Sequence, residues 1–349
     1  MFPERFALQG EDRRVKDFPY RKNVVAERLI VQWGFLALVL SIGVRFGMFV
    51  RHFESSGAAP YVTRPPGVEG FLPIGALASL KQWLVSGEIN PVHPAALVIF
   101  LTVVGMSLLA KKSFCSWLCP VGTLSEGAWK LGGRIFGRNF RPWGWLDVSL
   151  RSVKYLLLIF FVKIILIDMG GEALAGFLGT PYWAVSDVKM LRFLTHPSAT
   201  TLAVVGLLTA LSLLYRNFWC RYLCPYGALL GIVSMMSPMK IRRDKDGCTG
   251  CRRCSAACPA GLPVHAQEAV RSPECSGCLN CVAECPERDV LRIAPPFWRR
   301  PITPLIYACL VVLLFAAGIG SGMATGHWQS ALTRADYQRL IPLAPFLDH

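Results

Sequence analysis

Of the 13 cysteines in this 349-residue chain, all but one fall into two spacing patterns. The first is a pair of C-x-x-C-x-x-C-x-x-x-C-P runs, Cys248, Cys251, Cys254, Cys258-Pro259 and Cys275, Cys278, Cys281, Cys285-Pro286. Three thiolates so closely spaced wrap one corner of an iron–sulfur cubane, and the fourth cysteine of each run crosses to the other cluster. The spacing therefore assigns Cys248, Cys251, Cys254 and Cys285 to one [4Fe–4S] centre, and Cys275, Cys278, Cys281 and Cys258 to a second. Zinc ribbons use isolated C-x-x-C pairs, and disulfide frameworks belong to small secreted chains, so neither suits these eight thiols. The chemistry implied is one-electron transfer.

The second pattern is an internal repeat. Phe114-Cys115-Ser116-Trp117-Leu118-Cys119-Pro120-Val121-Gly122-Thr123-Leu124 matches Trp219-Cys220-Arg221-Tyr222-Leu223-Cys224-Pro225-Tyr226-Gly227-Ala228-Leu229 at six of eleven positions. Each copy ends an apolar run closed by basic residues, Lys111 and Lys112 in the first and Arg216 in the second. Residues four apart share a helix face, so each C-x-x-x-C pair is expected to present two sulfurs to one side. Three readings stay open for Cys115, Cys119, Cys220 and Cys224. They could hold a third metal or Fe–S site, form a dithiol/disulfide redox site bridging the two pairs, or pack a repeat junction as small buried residues. Cys309 stands alone in the last apolar run and reads as an inert core residue.

The elements that must position these thiols belong to a bilayer. The chain is 53% hydrophobic with net charge +15, and its mean hydropathy is +0.42. Five apolar runs, Leu29–Val50, Ala95–Ala110, Tyr155–Ile167, Ser198–Tyr215 and Ile302–Ala324, approach the roughly 20 residues that a spanning helix needs. The segments 1–28, 111–154 and 216–300 hold 28 Lys and Arg residues, against 7 in 51–94, 169–197 and 324–349. The positive-inside rule then places the N-terminus and the cysteine-rich module in the cytoplasm and the C-terminal tail in the periplasm of a bacterial inner membrane. A reducing compartment also keeps thiols available for iron. The first run is long for a signal core and reads as a retained helix.

The expected fold is mainly α, a polytopic membrane protein of about five transmembrane helices with two parallel helical-hairpin repeats. It carries a small α+β module of the bacterial two-cluster ferredoxin type. The expected organisation is a cytoplasmic segment over 1–28, hairpin repeats over 29–136 and 137–239, the ferredoxin module over 240–296, and a final helix with an external tail over 297–349. Tyr226–Met239, too short to span, reads as a surface or re-entrant helix tying Cys224 to the module.

Paired C-x-x-x-C-P motifs followed by the double cluster run resemble the membrane polyferredoxins of the NapH and NosR type. The segment Arg64-Pro65-Pro66-Gly67-Val68-Glu69-Gly70-Phe71-Leu72-Pro73 is similar to their external loop. The resemblance covers residues 30–295 or so and implies electron transfer between the membrane quinone pool and a partner redox protein. Two departures stand out: a short segment before the first helix, where the NosR type has a flavin-binding domain, and the additional run 302–324 with its tail.

None of the six histidines lies mid-span, which argues against transmembrane bis-His haem, and no C-x-x-C-H motif offers a c-type haem site. His93, in Asn90-Pro91-Val92-His93-Pro94, reads either as an anchor of a helix end or as a quinone or proton ligand, because quinol oxidation releases protons. Lys163 is a charge in an apolar run, with Asp168 as its expected partner and a proton path as its functional reading. Glu126, seven residues after Cys119, reads either as a proton acceptor near the first motif or as a solvated loop acid. Arg252, Arg253, Arg271, Arg288 and Arg292 make the module basic, which suits an acidic redox partner or anionic lipid. No Gly-rich nucleotide loop or flavin signature occurs, and nothing points to nucleic acid. Three functions follow: quinol dehydrogenase, electron donor for reducing the metal cofactor of an exported enzyme, or a membrane scaffold stabilised by its clusters.

Overall fold

Proline sets where many of the helices begin. The structure, a computed structural model, describes residues 19–347 except 141, 288 and 297–301, with side chains from Val24 onward. Residues 1–18 of the expected cytoplasmic segment and Arg288 of the expected basic surface lie outside the described residues. Helix α1 (Pro19–Glu54) is followed by α2 (Pro73–Ser86), α3 (Pro94–Ala110), the short α4 (Ser113–Trp117) and α5 (Pro120–Ile135). Next come α6 (Gly144–Val162), α7 (Gly171–Leu178), α8 (Pro181–Ala184), α9 (Ser186–Thr195), α10 (Ala199–Leu214) and α11 (Pro225–Ser234). Strand β1 (Lys240–Arg243), the one-turn helices α12 (Arg253–Ala256) and α13 (Asn280–Ala283), and strand β2 (Leu291–Ala294) precede α14 (Pro304–Ala324) and α15 (Arg334–Leu340). Proline suits a first helical turn, where its missing N–H has no partner to lose and its fixed φ is already helical.

The expected five spans are met unevenly. By length and composition two helices can cross a membrane, Val24–Glu54 within α1 and Pro304–Ala324. Helices α9 and α10 pass that test only as a pair bent by 74°. Helix α3 is apolar but has 17 residues. The run Tyr155–Ile167 covers the apolar end of α6, whose preceding residues include Asp147, Arg151 and Lys154, and most of the π-helical turn over Lys163–Asp168 that continues it. Helix α1 starts well before Leu29 and takes in two buried polar residues, Arg28 and Gln32, that find hydrogen-bond partners.

Helix α3 is central, with α2, α11 and α14 packed around it. On α14, Gly318 and Gly322 let the backbones approach: an added Cβ would stand 2.2 Å from Thr102 and 2.6 Å from Val98. Small residues at such crossings are the usual means of packing helices in lipid. Helix α5 packs on α10, and α11 on α3. The helix after each cysteine pair thus lies on the apolar helix that precedes the other pair. β1 and β2 pair antiparallel from Lys240↔Ala294 to Arg243↔Leu291, closing the cysteine-rich segment between them.

Candidate iron–sulfur centres

The two cysteine loops bend alike. Gly250 and Arg252 in the first loop, and Gly277 and Leu279 in the second, have φ of 71°, 58°, 64° and 60°. This left-handed region is open to glycine and costly for other residues. The chain therefore turns sharply on both sides of Cys251 and of Cys278, and α12 and α13 then carry Cys254 and Cys281 into buried positions. Two cavities of about 360 Å³ result. Cys248, Cys251, Cys254 and Cys285 line one; Cys258, Cys275, Cys278 and Cys281 line the other. The fourth cysteine of each run thus lines the cavity of the opposite run. Among the described residues no three His, Cys, Asp or Glu side chains are close enough to hold a single metal ion.

The cavities differ in setting. Cys251 is exposed, and the Gly250 N–H and Arg243 hold the Cys248 thiol below its ordinary value. The second cavity is clamped to the helices. Arg28 of α1 donates to the Cys278 carbonyl at 2.7 Å and to Asn280 Oδ1 at 2.6 Å. Ser116 Oγ donates to the Ser276 carbonyl at 2.7 Å, and Trp117 Nε1 to that of Gly277 at 3.1 Å. Lys154, 0% exposed, pairs with Glu274 at 2.6 Å, and the Tyr155 hydroxyl donates to the other oxygen of that carboxylate at 2.9 Å. Arg221, held by Asp147, donates to the Pro259 carbonyl at 3.1 Å. Burial pushes the Cys258 thiol up to about 11.

A third cavity, about 600 Å³, lies between that quartet and the repeat cysteines, lined among others by Lys112, Cys115, Glu126, Cys220, Glu274 and Cys278. The expectation that each C-x-x-x-C pair shares one helix face is corrected here. Cys115 lies in α4 and Cys220 in a π-helical turn over Trp219–Leu223, whereas Cys119 and Cys224 cap the N-termini of α5 and α11. Pro120 and Pro225 cannot continue the preceding helices, so each motif spans a break. The first break needs glycine, since a Cβ at Gly122 would stand 2.3 Å from the Cys115 carbonyl oxygen. The four thiols converge closely enough for charge on one to be felt by the others. Burial pushes Cys115 up to about 11 and Cys119 up to about 12.

Comparison with known proteins bears on both patterns. Residues 92–139 and 198–244 each match the family described as a 4Fe-4S binding domain, and residues 240–286 match the 4Fe-4S dicluster domain. The protein YccM of Escherichia coli (strain K12), to which electron transport is ascribed, is 44% identical over 333 residues, covering 94% of this chain and 93% of that protein. The chain belongs to the NapH-type polyferredoxin family. Within this polyferredoxin family the ferredoxin-type protein NapH of Escherichia coli (strain K12) is 27% identical over 236 residues, 66% of this chain and 73% of NapH. The methylamine utilization ferredoxin-type protein MauN of Methylorubrum extorquens is 30% identical over 207 residues, 54% of this chain and 61% of MauN. No solved structure matches. The chain is accordingly a ferredoxin-type electron-transfer protein with 4Fe–4S domains and apolar helices suited to a membrane.

Other residues singled out by sequence fall elsewhere. His93, 0% exposed, lies at the end of α3 remote from the cysteines. Its Nε2 is 2.8 Å from the Trp183 carbonyl oxygen and its Nδ1 3.3 Å from Glu69, while Arg64 bonds Glu69 at 2.8 Å and Asp187 at 2.7 Å. Lys163 pairs with Asp168 at 2.5 Å, both exposed. Two expectations are corrected. Glu126 is no solvated loop acid: it lies on α5, buried, bonded to Arg28, Lys130 and Gln32. Cys309 is not a core residue but exposed on α14. Sequence reasoning missed Arg28, Lys112, Lys154 and Glu274, which it treated, where it noticed them, as flanking charges.

Proposed function

We propose that this chain oxidises a membrane quinol and passes the electrons to a redox protein, with [4Fe–4S] clusters held by Cys248, Cys251, Cys254 and Cys285 and by Cys258, Cys275, Cys278 and Cys281. The order of the cavities carries the reading: an exposed cysteine at one end, a quartet clamped to the helices in the middle, and a third cavity against the membrane hairpins. Four thiols gathered around one cavity suit a cubane, and among the described residues no three ligating side chains stand close enough for a single metal ion. When bound, each cluster supplies a one-electron couple. The chain's own residues do the rest. Cys251 offers the edge at which a soluble partner docks, and Arg28, Ser116, Trp117 and Lys154 fix the second quartet against the helices.

Lys and Arg counts support a cytoplasmic module and an external tail, with crossings by α1, α3, α6 and its π-turn, the bent α9–α10 pair, and α14. The length of α3, roughly 25 Å, separates His93 from the cysteines. Its part in this proposal, like that of Lys163 at the end of α6, is therefore to handle quinol protons. The test is anaerobic titration of the detergent-purified protein with a menaquinol analogue, with cluster reduction followed by EPR. Reduction that a quinone-site inhibitor abolishes is the expected result. Reduction by dithionite but not by quinol would overturn it. The thiol-lined third cavity would then favour the second reading, delivery of electrons to the metal cofactor of an exported enzyme.

A further inference from the structure

Lys112, between α3 and α4, is among the basic residues that orient the chain in a bilayer, where such a side chain ordinarily reaches water. Here it turns inward. It is 6% exposed, lines the third cavity with Cys115 and Cys220, and a Cβ built on Gly227 would stand 3.5 Å from both its Nζ and Cys224 Sγ. Among the described residues no hydrogen bond or ion pair holds this ammonium. The two carboxylates of the same cavity are each outnumbered by cations, Glu126 by Arg28 and Lys130, and Glu274 by Lys154, its partner at 2.6 Å, together with Lys112, whose charge it also faces, so the cavity keeps a surplus of positive charge. A buried ammonium needs a counter-charge, because desolvation without one is very costly. Four neutral thiols supply none, and neither do disulfides. Four thiolates on a metal do.

We propose that Lys112 is the fixed positive counter-charge of a third iron–sulfur centre held by Cys115, Cys119, Cys220 and Cys224, and that it makes this centre easier to reduce. The proposal builds on the electron-transfer reading but not on quinol as donor. Its redox step is the addition of one electron to the centre, from dithionite in the test, with no bond made or broken in the protein. A cationic neighbour stabilises the more negative reduced form.

The test uses the full chain purified anaerobically, with iron and acid-labile sulfide counted and EPR-monitored redox titration applied to each signal. Wild type is expected to hold iron beyond that of two clusters and to show a third signal. Cys115→Ser with Cys220→Ser removes that excess and that signal while the two ferredoxin signals persist. Lys112→Met lowers the equilibrium constant for one-electron reduction of the third centre about tenfold, about 59 mV, and Lys112→Arg restores it. Iron for two clusters only, with all four thiols open to alkylation after denaturation, overturns the proposal. So does a third midpoint unmoved by Lys112→Met. If Lys112→Met does not accumulate, the wild-type iron count and the Arg variant still decide. Quinol reactivity of the ferredoxin signals is read separately, so either proposal can fail alone.

Discussion

Glu274→Gln tests whether the second quartet owes its stability to the helices. The substitution keeps side-chain shape and removes the charge that faces Lys154 at 2.6 Å. Lys154 is 0% exposed, and no other carboxylate pairs with it among the described residues. Breaking a buried pair from one side costs about 3–5 kcal/mol, because the remaining charge is left uncompensated. Glu274 keeps 11% of its side-chain surface, so the lower figure applies. About 3 kcal/mol is a little over a hundredfold in the equilibrium for opening the loop that carries Cys275 and Cys278. The assay is chelator-driven iron loss, with EPR resolving the two ferredoxin signals. Where the loop recloses faster than the chelator acts, the loss rate follows that equilibrium. The second cluster should then bleach about a hundredfold faster, with the first unchanged. Adding Lys154→Met should recover most of the loss, since the two residues act as a unit. Burial pushes the Glu274 carboxyl up, but Lys154 and Lys112 hold it below its ordinary value. A depressed carboxylate contributes stability that is fully present above the unfolded pKa and is lost as pH falls through the folded one. Wild-type lability should therefore rise only on acidification below the ordinary carboxylate range, and the variant should lack that acid step. A bleaching rate within twofold of wild type, or no recovery in the double variant, refutes the clamp.

Further outcomes are expected from single substitutions. Cys251→Ser should abolish one ferredoxin EPR signal and Cys278→Ser the other, since the two residues line different cavities. Gly122→Ala, whose Cβ would stand 2.3 Å from the Cys115 carbonyl oxygen, should destabilise the first repeat by about 1–3 kcal/mol, read as a lower thermal midpoint, whereas Gly43→Ala meets nothing within 4 Å and should leave the midpoint in place. Asp187→Asn strips Arg64 of one of its two carboxylate partners, at 2.7 Å, and leaves Glu69 at 2.8 Å, so it should cost about 1.5–3 kcal/mol, the range for a hydrogen bond between charged groups. Because this cluster lies at the other end of α3, both ferredoxin EPR signals should be unchanged.

The ferredoxin quartets were legible because their information is local. Cys248, Cys251 and Cys254 fall within seven residues, so the chain need only turn at Gly250 and Arg252 to gather them. The repeat was legible as identity, but its geometry was not. Equal spacing suggested one helix face, whereas Pro120 and Pro225 break the helix between the paired cysteines. Charges were the hardest to read. Lys154 and Glu274 are 120 residues apart, and nothing beside either shows that the other neutralises it. Lys111 and Lys112 obey the topological rule for flanking charges yet are buried. The span count suffered likewise, because Asp147, Arg151 and Lys154 interrupt hydropathy without ending α6.

The pairing of β1 with β2 has a consequence for how such chains diversify. Lys240 lies opposite Ala294, so the polypeptide leaves the bundle and returns to it through neighbouring strands. Whatever is threaded between them hangs from a single two-stranded neck, while α3, α11 and α14 keep their own packing. Such a socket can receive a longer, doubled or exchanged redox cartridge without any helix being re-seated. The helices would then remain the fixed chassis of a lineage whose redox wiring is free to vary.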